Sequence, residues 1–156
     1  MPRASTHIFR VRLWPKVYRD IEIDSNKSLY DLAVAIVRAF GFEFDHAFGF
    51  FSKLTEYIYD APVRYELFAD LDLDDDPLAD GDHRSKAGSV KRTKVSQAFP
   101  EVGSKMLFLF DYGAHWEFRV EVIGFGEKVP RTRYPRVLAV VGKAPSQYPD
   151  IGEADG

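Results

Sequence analysis

Asp111, His115 and Trp116 stand within one six-residue turn and form the densest set of chemistry-bearing side chains in the sequence. They flank Gly113, between the aromatic run Phe108-Leu109-Phe110 and a second alternating run that begins at Trp116. An acidic acceptor, an imidazole that changes charge near neutral pH and an indole wall are the components of a small-molecule or peptide pocket. His46 leads another apolar run and is a fourth candidate lining residue. Turn chemistry alone accounts for the same residues: an Asp accepts backbone N–H bonds, and a glycine supplies a positive-φ hairpin position. Both readings stay open. The four histidines, His7, His46, His83 and His115, show no helix-spaced ligand pair, so no metal is expected. Gly124 and Gly126 lack the third glycine and following helix of a dinucleotide fingerprint, and no nucleophile elbow or phosphate loop occurs. No cofactor and no catalytic residue are therefore assigned, which favours a binding module over an enzyme.

The second constellation is basic. Lys128, Arg131, Arg133 and Arg136 surround Tyr134, and cationic side chains interleaved with an aromatic ring suit phosphate contacts and base stacking. Arg10, Arg12 and the basic run within 84–94 add to the positive charge. The net charge of −3 argues against a purely electrostatic polyanion partner, and no helix-turn-helix, RNP or zinc motif is present. Nucleic acid and protein both remain candidate partners. The run Asp72-Leu73-Asp74-Asp75-Asp76-Pro77 fails as a calcium loop, because Pro77 stands where glycine is needed and His83 where a bidentate Glu is needed.

These residues must be positioned by a single domain. A chain of 156 residues is long enough to bury its own core, and with 46% apolar and 15% aromatic residues Phe and Tyr must supply much of it. The chain has no cysteine, which excludes disulfides, thiolate nucleophiles, zinc fingers and iron–sulfur clusters. No apolar run approaches the roughly 18 residues of a membrane span, and none follows the first six residues as a signal core, so a soluble cytoplasmic protein with no membrane partner is expected.

Residues 8–14 and 17–24 alternate around Trp14-Pro15-Lys16 and predict an antiparallel hairpin, with basic and acidic outer residues facing each other. Ser28 and Asp31 have capping-box spacing, and Leu29, Leu32, Ala33, Ile36, Val37 and Phe40 form one apolar stripe, so a helix is predicted over 28–40 with Gly41 as its C-terminal stop. Residues 46–51 predict a buried strand and 57–59 a weaker one. From 70 to 82, seven of thirteen residues are Asp, and a basic run follows, so 70–92 reads as a solvated excursion within the domain. Residues 93–99 fit a short helix or strand. Residues 105–112 and 116–125 predict a second hairpin, 134–141 a last strand, and 142–156 a tail. The fold class is α+β: mainly antiparallel sheet with one principal helix, as hairpin, helix and strand followed by the second hairpin.

The turn at 108–121, with Tyr134-Pro135-Arg136-Val137-Leu138 and Ala144-Pro145-Ser146-Gln147-Tyr148-Pro149-Asp150, resembles the plasmid pRiA4b ORF-3-like family. Ala39-Phe40-Gly41-Phe42, the strand from His46 to Phe50, Tyr65-Glu66-Leu67-Phe68-Ala69-Asp70 and Ser89-Val90-Lys91-Arg92-Thr93-Lys94 extend that resemblance over most of 7–150. It implies an α+β domain and a setting near mobile elements, and it implies no activity. Where the family's turn usually carries a second acid this chain has Ala114, so a two-carboxylate mechanism at the turn is not implied.

Overall fold

The computed structural model describes residues 5–45, 47–52, 63–66, 88–111 and 115–145. In chain order these form β1 (Thr6–Trp14), β2 (Val17–Asp24), α1 (Leu29–Ala39), β3 (Phe48–Phe51), β4 (Arg64–Glu66), β5 (Gly88–Ser89), α2 (Val95–Ala98), β6 (Lys105–Phe110), β7 (Trp116–Gly126) and β8 (Arg136–Val141). The strands make one sheet in the order β5-β4-β3-β6-β7-β1-β2-β8. Every neighbouring pair is antiparallel except β4 and β5. The fold is α+β, with α1 laid on one sheet face.

The first hairpin follows its period-two pattern. Phe9, Val11, Ile21 and Ile23 are buried in the core, while Arg10 pairs with Asp20 across the strands, donating from Nε at 2.9 Å and Nη2 at 3.0 Å to the two carboxylate oxygens. The second hairpin adds Phe108, Phe110 and Phe118 to the aromatic core. Phe108 packs against Phe50 with ring centroids 4.8 Å apart and against Phe118 at 5.7 Å, within the range of favourable ring contacts. Phe51, Leu107 and Leu109 are also buried, although they lie on the opposite sheet face.

Helix α1 starts and stops where its caps dictate. The Ser28 hydroxyl accepts from the Asp31 N–H at 3.1 Å, and the Asp31 carboxylate accepts in return from the Ser28 backbone. At the other end Gly41, at φ +75°, donates to Arg38 O and Phe42 N–H donates to Val37 O, the paired bonds of a Schellman stop. Leu29, Leu32, Ala33, Ile36, Val37 and Phe40 are buried as predicted.

The charged stretch read as solvated from 70 to 92 needs a correction at its C-terminal end; residues 70–87 and the weak strand at 57–59 lie outside the described residues. Gly88 and Ser89 form β5, and Val90 is fully buried. Tyr30 N–H donates to Val90 O and Leu29 N–H to Thr93 O, so this segment satisfies two of the orphan donors of the first turn of α1. Composition concealed this because the capping groups are backbone carbonyls. Residues 93–99 contribute the short helix α2.

Two buried polar residues link these elements. His7 Nε2 donates to Phe99 O at 2.8 Å, which leaves Nδ1 to accept from the Ser25 hydroxyl at 2.7 Å. Burial lowers its pKa, against the Phe99 bond that favours the charged form. Arg19 lies on the core face with no acidic partner among the described residues. Its Nε donates to Ala39 O at the end of α1, and its Nη1 to Tyr18 O, Val141 O and Gly142 O. Its guanidinium also stacks 4.8 Å above the Phe40 ring.

Candidate functional site

At the turn, the structure describes Asp111, His115 and Trp116, while His46 and residues 112–114 lie outside the described residues. Asp111 is buried and holds a positive φ of 64°, and its N–H donates to Ala47 O at 2.9 Å. His115 also has a positive φ, 63°, and its imidazole Nδ1 meets Glu117 Oε2 at 2.8 Å. Two consecutive ends of one turn in the left-handed region, neither of them glycine, mark a strained corner. The Trp116 ring packs on Phe42 at 5.0 Å. Its position on the core face agrees with the alternation of β7, but its indole N–H is buried and has no partner among the described residues. Asp111 is thus not its acceptor.

The basic constellation lies on the other side of the sheet's long axis, beside β8. Two of its four cations are committed to acids. Lys128 Nζ is ion-paired with Asp24, and Arg136 Nε and Nη2 both reach Glu22 Oε1 at 2.8 Å. Glu22 is itself buried and accepts a 2.6 Å bond from the Thr6 hydroxyl. Gly126 makes room for this network, since a Cβ there would stand 2.9 Å from both Glu22 Oε2 and Thr6 Oγ1. Burial favours the protonated form of Asp24, but Lys128 and the Asn26 N–H outweigh it and hold the carboxyl below its usual range. Arg131 and Arg133 are exposed and form no ion pair among the described residues.

A groove runs between α1 and the segment leading into β8. One part, about 400 Å3, is walled by Lys27, Val34, Arg38, Tyr134, Pro135 and Val137. The adjoining part, about 480 Å3, shares Lys27 and Tyr134 and continues past Lys128 to Thr132. The helix wall was missed in the sequence, although Lys27, Asp31, Val34 and Arg38 recur at helical spacing beside the core stripe. Along the outer side of the groove, β8 is the last strand of the sheet among the described residues, and Val137, Leu138, Val140 and Val141 are 44%, 44%, 64% and 36% exposed.

Among the described residues no helix is long and apolar enough to cross a membrane, and no group of three or more His, Asp or Glu side chains is placed to hold a metal ion. A mainly antiparallel sheet with one principal capped helix on one face, and β8 at an edge among the described residues, defines the architectural class. The chain belongs to the plasmid pRiA4b ORF-3-like family, whose sequence profile matches residues 8–156. No curated protein matches it. Among solved structures it is similar to the crystal structure of a protein of unknown function from Methanosarcina mazei Go1, with a TM-score of 0.65 and 19% identity over 89% of this chain and 70% of that one. That likeness is one of fold.

Proposed function

We propose that the protein is a non-enzymatic binding module that takes an extended, acidic segment of a protein partner along the edge of β8. The carrying observation is that edge. A terminal strand with four exposed aliphatic side chains presents backbone donors and acceptors for strand addition, and natural sheets usually protect such an edge with charge or proline. The adjoining groove supplies side-chain recognition. Lys27, Arg38, Arg131 and Arg133 form no ion pairs among the described residues, and they complement acidic side chains on the incoming strand. A part in mobile-element biology belongs to the same proposal and rests on the family's plasmid-derived description.

The test is titration of isotope-labelled protein with an alternating Val-Glu octapeptide, and separately with a single-stranded octanucleotide. Peptide-induced shifts at β8 amides and at the Lys27–Arg38 wall are expected, and Val140→Lys should abolish them by charging the edge. Shifts from the oligonucleotide alone, centred on Arg131 and Arg133 and lost with salt, would replace the peptide by nucleic acid.

A second reading, a ligand pocket formed by Asp111, His115, Trp116 and His46, is favoured by one observation: the buried, unpartnered indole N–H of Trp116 is a donor awaiting an acceptor.

A further inference from the structure

The sheet face turned away from α1 carries a second charge pattern, remote from the β8 groove. Strand register places Asp20, Arg10, Glu121 and Lys105 in one row across β2, β1, β7 and β6. Their signs alternate, and each charge has an opposite neighbour. The next row reads Tyr18, Arg12, Arg119 and Leu107. Here two arginines face each other directly. Side chains opposed across an antiparallel pair have Cβ atoms about 5 Å apart, and like charges at that spacing destabilise the sheet.

No ion pair among the described residues offsets the repulsion. Asp20 is engaged by both Arg10 contacts. Glu121 lies between Arg10 and Lys105 in its own row. Arg119 is exposed and forms no ion pair among the described residues, and Arg12 Nε is buried with no hydrogen-bond partner among them. A buried guanidinium N–H without an acceptor is an uncommon and costly arrangement. The Arg12 guanidinium is nevertheless held in place, 5.3 Å above the Tyr18 ring that also carries Arg10 at 4.4 Å.

These side chains surround a concavity of about 100 Å3, lined by Arg10, Arg12, Lys105, Arg119 and Glu121. With Arg10 committed to Asp20 and Glu121 beside Lys105, the excess positive charge is that of Arg12 and Arg119, on a protein whose net charge is −3. The concavity suits a single tetrahedral oxyanion. Such a group accepts from two guanidinium forks at once, and charge-assisted bonds of this type are the strongest hydrogen bonds available to a surface site.

We propose that the Arg12–Arg119 pair binds a phosphate group, either free phosphate or the phosphate of a small ester. The anion supplies the acceptor that Arg12 Nε lacks and cancels the repulsion across β1 and β7. The site is independent of the strand-binding edge, since it uses the sheet face turned away from α1 and none of the groove residues.

The experiment is calorimetric titration with inorganic phosphate at fixed ionic strength, paired with thermal unfolding in phosphate-free buffer. Saturable binding is expected in the wild-type protein. Arg119→Gln should weaken it at least tenfold and should also raise the unfolding temperature without phosphate, because one of two opposed charges is gone. A merely structural Arg119 would give the opposite temperature shift. Arg12→Gln should lose binding as well, and Arg119, being exposed, keeps the test valid if that variant does not fold. Arg131→Gln combined with Arg133→Gln should leave phosphate affinity unchanged. Repeating the titration with a sugar monophosphate separates the sources: tighter binding than phosphate assigns an ester, and equal binding assigns the free ion. Absence of saturable binding, equal affinity in wild type and Arg119→Gln, or loss of affinity only in the Arg131/Arg133 double variant would overturn the proposal.

Discussion

Replacing Trp116 by Phe isolates a single hydrogen-bond donor in a known packing context. The ring contact with Phe42 at 5.0 Å survives in kind, since the Phe ring stands roughly where the pyrrole ring, bonded to Cβ, lies in the indole. What disappears is the outer part of the fused benzo ring and the N–H. Loss of roughly 40 Å2 of partly buried apolar area costs about 1 kcal/mol at about 25 cal/mol per Å2. Against this, the indole N–H is buried and unpartnered among the described residues, and removing such a donor returns about 1–3 kcal/mol of desolvation cost. The two terms nearly cancel, so urea unfolding should place Trp116→Phe within about 1 kcal/mol of wild type. The assay is a pair of denaturation curves analysed at equal slope, so that a change in midpoint is a change in stability. A loss above about 2 kcal/mol would mean that the N–H is bonded in solution, and the account of an orphaned donor would be refuted. If the variant is as stable as wild type but loses a small ligand that wild type binds, the N–H belongs to a pocket at the turn.

Ile36→Ala should destabilise by about 2–5 kcal/mol, measured by the same unfolding assay, because Ile36 is fully buried on the core side of α1. Acidification should weaken the fold in two windows. The pKa of His7 is lowered, so below its ordinary value of 6.5 the unfolded chain binds a proton that the folded one refuses, and stability falls as pH falls. Asp24 is held below 3.8, so its contribution persists above that value and is lost as the pH drops through its lower folded pKa. His7→Gln should flatten the first window in a pH series of unfolding midpoints and leave the second. If the exposed Arg131 and Arg133 contact nucleic acid, changing both to Ala should flatten the salt dependence of oligonucleotide affinity, whereas Lys128→Ala should change it less because Lys128 is already paired with Asp24.

Elements with a strong local period were legible in the sequence. The α1 stripe, its Ser28–Asp31 box and the Gly41 stop are all local signals, and the structure reproduces each. The Arg10–Asp20 pair followed from alternation around a short turn. Features that depend on non-local backbone were not legible. Val90 and Thr93 cap α1 through carbonyl groups, which carry no side-chain signature, so a charged stretch concealed an ordered one. Arg19 reads as an outlier among Val17, Ile21 and Ile23, and only the approach of Ala39, Val141 and Gly142 explains it. The Arg12–Arg119 opposition depends on strand order as well as strand pattern, because Arg119 on β7 lies 107 residues beyond Arg12 on β1 and meets it through register alone. The same holds for the site at the turn: residue types nominated Asp111, His115 and Trp116, but the pairing of His115 with Glu117 required the geometry.

Arg19 and Arg136 together act as clamps at the two ends of β8. Arg136 fixes the start of the strand to Glu22 on β2, and Arg19 grips the carbonyls of Val141 and Gly142 at its finish. Gly142 permits the second grip, because a Cβ there would stand 2.2 Å from Lys16 O. A strand anchored at both ends is held extended before anything meets it. An incoming segment would then have to order only its own backbone, which lowers the entropic penalty of strand addition. The edge is thereby a preorganised rail, and its rigidity depends on two guanidinium groups: Arg19, buried on the core face, and Arg136, which also lines the groove.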